Sequence, residues 1–256
     1  MPIENPLTSR FPNGITTAAE GHPLASIGIP YPMKYIVLFE DFMYGLNATT
    51  SSTITWGSVD DGGTGTNAFQ DALGGIYNVV TAAADNDHHA MVTQQENFKF
   101  TAGKRLWLEA RVKVAEATTN ESTWWVGLTD TTTTGGMQAN AAGPLASYDG
   151  ALIWKTPETA MTLNFEVSDA GTQSTTSAFA TSVTDTWTKV AFYFDGISTV
   201  TPYAAVNGSD TWVMGTGQTI TPGNLDEMHT VFGIKAGPTA AAETLQIDYI
   251  LVVAER

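Results

Sequence analysis

Arg105-Leu106-Trp107-Leu108-Glu109-Ala110-Arg111-Val112-Lys113-Val114 is the stretch on which the fold turns. Leu106, Leu108, Ala110, Val112 and Val114 share one parity; Trp107, Glu109, Arg111 and Lys113 share the other. Successive side chains of an extended strand point to opposite faces, so this is a strand with one apolar and one amphipathic face. A slip of one residue would carry Trp107, Glu109 and Arg111 into the core, which fixes the register.

The same alternation recurs outward from this stretch. Met161, Leu163, Phe165 and Val167 alternate with Thr162, Asn164, Glu166 and Ser168, and Val190, Phe192 and Phe194 alternate with Lys189, Ala191 and Tyr193. Further strands are expected at Tyr35–Phe39, Ile54–Gly57, Gly75–Thr81, His88–Gln94, Asn97–Phe100, Thr123–Asp130, Ala151–Trp154, Pro202–Asn207, Thr211–Met214, Thr230–Ala236 and Glu243–Ala254. Helix is nearly absent, with room for a turn or two at Asn67–Leu73. Asp60–Gly65, Thr131–Gly136 and Ala170–Thr176 read as Gly- and Thr-rich loops. Many short strands with polar turns and one apolar face imply two antiparallel sheets on a shared core, an all-β jelly-roll sandwich.

Composition agrees. The chain has 256 residues, 43% of them hydrophobic, enough for one large β domain with a proper core. Only 14% are charged, against roughly 25% in an average soluble protein. The net charge of −15 repels phosphate backbones. Lys104, Arg105, Arg111 and Lys113 are the nearest approach to a basic cluster, and they read as local ion pairs, so no nucleic-acid partner is expected. Without cysteine there is no disulfide or thiolate metal site. The start, Met1-Pro2-Ile3-Glu4-Asn5-Pro6, lacks the charged-then-apolar pattern of a secretory signal, and no apolar run approaches the ~20 residues of a membrane span. A soluble protein made in a cytoplasm is the expectation.

Residues 1–34 differ from residues 35–256. Six of the 11 prolines lie there, at positions 2, 6, 12, 23, 30 and 32, which blocks helix and central strand alike. Ile3, Leu7, Phe11, Ile15, Leu24, Ile27, Ile29 and Tyr31 sit like pegs along an extended arm that could reach roughly 100 Å. Disordered tails are poor in large apolar residues, so the spacing points to an arm that docks through these pegs onto a surface.

The second half resembles the concanavalin A-like (laminin G-like) jelly-roll superfamily. The resemblance is carried by Arg105–Val114 and by Trp125-Val126-Gly127-Leu128-Thr129-Asp130. It continues through Gly150–Trp154, Trp187–Asp195 with Gly196, Tyr203-Ala204-Ala205-Val206-Asn207-Gly208 and Leu245–Ile250. Arm and Thr/Ala/Gly-rich acidic domain together look like capsid decoration or cement proteins of tailed bacteriophages, a likeness of layout. It implies a virion protein on the capsid surface, made in the host cytoplasm. Its partners would be the major capsid protein or neighbouring virion subunits, and its own state a homodimer or homotrimer.

Catalytic signals are absent. Glycosidases of this fold line up carboxylates two apart on one strand, whereas Glu166 and Asp169, and Glu243 and Asp248, have opposite parities. Glu109 has Arg111 and Lys113 for neighbours and reads as part of a surface ion-pair ladder. Asp85-Asn86-Asp87-His88-His89 is metal-like only in composition, because adjacent histidines on a strand face opposite ways; a loop calcium site at Asp60 and Asp61 has no further support. No catalytic residue, cofactor or metal ligand is assigned. Trp107, Glu109, Arg111, Trp125, Trp187 and Tyr193 are expected to share the outward face of one sheet, as a glycan or protein interface. The leading expectation is a non-enzymatic capsid-clamping protein; the alternatives are a lectin-like carbohydrate-binding module for host glycans and, third, a glycoside hydrolase or polysaccharide lyase.

Overall fold

In the computed structural model, which describes residues 22–23, 33–42, 56–60, 64–70, 75–138, 143–155, 160–169 and 171–256, the alternating stretches form sixteen strands. The first eight are β1 (Tyr35–Glu40), β2 (Trp56–Asp60), β3 (Thr66–Gln70), β4 (Ile76–Val80), β5 (His88–Thr93), β6 (Leu106–Ala115), β7 (Thr123–Thr129) and β8 (Gly150–Lys155). The others are β9 (Thr162–Asp169), β10 (Thr172–Thr181), β11 (Thr188–Phe194), β12 (Thr199–Ala205), β13 (Val213–Met214), β14 (Gln218–Thr219), β15 (His229–Lys235) and β16 (Thr244–Glu255). Nine make one antiparallel sheet, ordered β13-β12-β11-β6-β16-β4-β3, with β1 paired to β16 and β14 to β12. The other seven are ordered β10-β9-β8-β7-β15-β5-β2. Among the described residues no helix is long and apolar enough to cross a membrane.

The apolar parity of β6 faces inward as the sequence requires. Leu106, Leu108, Ala110, Val112 and Val114 join Val190, Phe192, Phe194, Ile247, Ile250 and Val252 on the inner side of the nine-stranded sheet. Trp124, Val126, Leu128, Ile153, Phe165, Val167, Phe232 and Ile234 meet them from the seven-stranded sheet. Phe165 and Phe192 touch across the sandwich with ring centroids 5.9 Å apart. Such a pair contributes about 0.5–1.5 kcal/mol beyond the area it buries.

Two polar devices close the ends of this core. Lys155 and Glu116 form a fully buried ion pair at 2.9 Å, and the ammonium also donates to the carbonyls of Asn120 and Ser122. Glu116 in turn accepts from the backbone of Asn120 and Ser122, which pins the turn between β6 and β7. At the far edge, the Asn67 amide faces His89 Nε2 at 3.1 Å, and Tyr77 donates to Asn67 Oδ1 at 2.8 Å. The amide nitrogen therefore donates, Nε2 accepts, and Nδ1 carries the proton toward Asp60 at 3.0 Å. This chain links β3 and β4 of one sheet to β2 and β5 of the other, and burial pushes the Tyr77 phenol up to about 12.

Several local expectations are corrected. Thr66–Gln70 is a strand, so the helical turn expected at Asn67–Leu73 does not form over its described part. Thr172–Thr181 is an edge strand where Ala170–Thr176 reads as a loop; Ser174 and Thr176 hold it laterally through Gln218. Asn97–Phe100 supplies a single bridge, Phe98 to Met228, and the strand expected at Thr211–Met214 shrinks to Val213–Met214. The arm pegs Ile3, Leu7, Phe11, Ile15, Leu24, Ile27, Ile29 and Tyr31 lie outside the described residues.

Candidate functional site

Register places the outward residues of the nine-stranded sheet in three rungs. Thr201, Tyr193, Trp107, Val253 and Val37 make the first, running from β12 to β1. Tyr203, Ala191, Glu109, Leu251 and Phe39 make the second. Ala205, Lys189, Arg111 and Tyr249 make the third. Trp187, one residue before β11, keeps the same parity, so register puts Trp107, Glu109, Arg111, Trp187 and Tyr193 on this face.

The middle of the first two rungs, Trp107, Val253, Tyr203, Ala191, Glu109 and Leu251, is buried, whereas Val37 and Phe39 at the β1 end are 40% and 42% exposed. Trp107 packs beside Tyr193 with ring centroids 5.3 Å apart and planes tilted by 41°, and the Arg105 guanidinium lies 5.1 Å from its ring centre. Its indole nitrogen donates to the carbonyl of Pro23 at 2.9 Å, and His22 meets Tyr203 edge-on at 4.8 Å. His22 and Pro23 thus lie on the chain's own sheet. Burial pushes the Arg105 partner Glu255 upward, but hydrogen bonds and charge from Arg105 more than offset this, and its carboxyl sits below the ordinary range. Glu109 is 1% exposed and accepts from the Tyr249 hydroxyl at 2.6 Å, so it is a buried hydrogen-bonded carboxylate and not a rung of a surface ion-pair ladder.

The third rung opens into a cleft of about 320 Å³. A β-bulge makes it. Ile247 pairs with Val112 and Tyr249 with Arg111, so Asp248 is the extra residue between them. The bulge re-aims Asp248 to accept from Arg111 Nη1 at 2.7 Å. The Arg111 guanidinium also lies 4.4 Å over the Trp187 ring, with Lys113 at 5.4 Å. The opposite wall is the turn Val206-Asn207-Gly208-Ser209, where Asn207 and Gly208 take φ of 58° and 72° and Ser209 N donates to Val206 O. Two positive φ values in succession are what an Asn-Gly pair supplies at little cost. The turn delivers Asp210 to Lys189 at 2.6 Å, and that ammonium stands 5.6 Å from the Trp212 ring. Lys189 is 8% exposed, whereas the Asp210 side chain is 93% exposed and is held below its ordinary range by Lys189.

Trp125 is corrected to the other sheet. It sits on β7, facing outward from the seven-stranded sheet among Ala90, Val92, Met137, Leu152, Trp154 and Val231. Its indole donates to the carbonyl of Gly135 at 2.8 Å, so the loop after β7 seals this face. Glu166 lies on the same side and accepts from Tyr148, Gln173 and Thr175; burial pushes its carboxyl up. Among the described residues no group of three or more His, Asp or Glu is placed to hold a metal ion, and His88 and His89 face opposite ways at the start of β5. Lys189, Asp210, Asp248 and Tyr249 escaped the sequence reading. The Asn207-Gly208 turn signal was the one local clue to that wall, and the bulge hid the other.

No protein-family model and no curated protein matches the chain. Among solved structures, a protein of unknown function from Shewanella oneidensis superposes with a TM-score of 0.58 at 15% identity, over 87% of each chain. Peanut lectin gives 0.60 at 10% identity, over 86% of this chain and 97% of that one. Basic winged bean lectin, solved with Tn-antigen, gives 0.59 at 10%, over 86% and 98%. These likenesses establish the fold as the two-sheet antiparallel sandwich of the concanavalin A-like, legume-lectin kind.

Proposed function

We propose that this chain is a non-enzymatic, lectin-like carbohydrate-binding module that takes its glycan in the cleft of the third rung. The observation that carries the reading is the cleft itself: about 320 Å³, walled by Trp187 and Tyr249, with Arg111, Lys189, Asp210 and Asp248 as donors and acceptors. Flat apolar rings beside fixed hydrogen-bonding groups suit a pyranose, which has apolar ring faces and a polar rim. Both carboxylates are engaged by cations, Asp248 by Arg111 and Asp210 by Lys189, an arrangement fitted to holding a ligand. Two of the three fold neighbours named above are lectins.

The capsid-clamp reading depends on arm positions outside the described residues. His22 and Pro23, which are described, lie against the chain's own sheet, and that favours the glycan reading. The test is a glycan-array screen of the full chain followed by calorimetry on the hits. Trp187→Ala is expected to weaken binding by about tenfold or more while leaving the far-UV circular dichroism unchanged. Absence of any glycan hit, or a hit that Trp187→Ala leaves untouched, would refute the assignment.

A further inference from the structure

Basic residues are scarce in this chain, 11 against 26 acids, yet two of them, Arg111 and Lys189, line one cleft, and a third, Lys113, stands over the Trp187 ring at its wall. The acids around them are unequally committed. Asp248 is tied to Arg111 and 9% exposed in its side chain, and Glu109 is buried against the Tyr249 hydroxyl. Asp210 alone of the three projects into solvent, from a turn, with its side chain 93% exposed. Its partner Lys189 is mostly buried, rooted in β11, and cannot follow it outward. Exposed ion pairs are weak and exchange readily. A ligand carboxylate entering the cleft would find a fixed ammonium whose counter-ion is free to swing away, beside a guanidinium with donors beyond the one given to Asp248.

Resting on the glycan-binding reading of this cleft, we propose that its sugar is acidic, carrying a carboxylate as uronic or sialic acids do, and that Asp210 is the built-in counter-ion which that carboxylate displaces from Lys189. Asp210 then acts as an internal competitor. It keeps the cleft neutralised when empty, and neutral sugars gain nothing from displacing it.

The experiment is titration calorimetry on the full chain with three probes: trigalacturonate, 3′-sialyllactose and carboxyl-reduced trigalacturonate. At least one carboxylated probe is expected to bind about tenfold or more tighter than the reduced one, the value of a hydrogen bond to a charged group. Asp210→Asn is expected to tighten the carboxylated ligand by about two- to fivefold relative to the neutral one. Which carboxylated probe wins separates the uronic from the sialic source. Equal binding of the reduced probe, or an Asp210→Asn effect shared by all ligands, overturns the proposal while leaving a glycan site standing. If no glycan of either class binds, the underlying reading falls with it.

Discussion

The indole nitrogen of Trp107 donates to the carbonyl of Pro23 at 2.9 Å, across 84 residues of chain. An otherwise outward tryptophan on β6 is thereby 1% exposed, and the N-terminal segment is tied to the chain's own sheet. Deleting residues 1–32 removes this acceptor and the His22 ring from Trp107 and Tyr203. The shortened protein should lose at least about 1 kcal/mol in urea denaturation and show red-shifted tryptophan emission. An arm that docks only on other molecules predicts no change in either measurement.

Lys155→Met strands Glu116 in a site with no solvent access. Removing one partner of a buried pair costs about 3–5 kcal/mol, and replacing both with apolar groups restores part of the loss, less the acceptor that Glu116 provides to the Asn120 and Ser122 N–H groups. Chemical denaturation of Lys155→Met and of the double variant Lys155→Met, Glu116→Leu should therefore show a deep fall and a partial recovery. A single variant as stable as the parent would show that the pair contributes little.

Stability should respond to pH through Glu166. Burial raises its folded value above the ordinary 4.5, against the opposing bonds from Thr175 and Tyr148. Between those two values the native state holds more protons than the unfolded one, so the favourable contribution is present at low pH and lost as pH rises. Glu243 and Asp130 act in the same direction. Asp195 acts oppositely: burial raises it, but three backbone N–H bonds more than offset that, so its contribution is lost as pH falls through a value below 3.8. Glu166→Gln should equal or exceed the parent in stability near pH 8 and lose that advantage near pH 4. A pH-independent difference between the two proteins would contradict this.

Gly233 lies under Trp125, where an added Cβ would come 2.5 Å from the indole and 2.7 Å from the Ala90 Cβ. Gly233→Ala must push the ring outward against the Gly135 carbonyl that holds it. The expected cost is about 1–3 kcal/mol, read as a lower urea midpoint with a shifted Trp125 indole resonance. An unshifted resonance at full stability would mean that the loop is not seated on this ring.

The core of the fold was readable because period two is unambiguous where one face is apolar, as in β6, β9 and β11. The edges were not. Thr172–Thr181 is exposed along most of its length and contains no large apolar alternation; it is a strand because Val167 and Glu166 offer it a ladder and Gln218 ties it sideways. Trp124 and Trp125 are both fully buried, one inside the sandwich and one outside beneath a loop, and neighbouring tryptophans carry no sign of which is which. Half of the cleft was legible, because Arg111 and Trp187 follow strand parity. Asp248 reaches it through a register shift, and Asp210 through a turn, and neither leaves a periodic trace.

β16 changes partners along one flank: Thr244 to Ile247 pair with β4, and Ile250 to Glu255 pair with β1. The extra residue at Asp248 falls in the gap between these two pairings, which makes it a seam in an otherwise continuous strand. Whatever fills the neighbouring hollow would touch that joint directly, through Asp248 and Tyr249. Occupancy of the hollow would then be felt at the root of the N-terminal segment as slower amide exchange in Val37–Phe39.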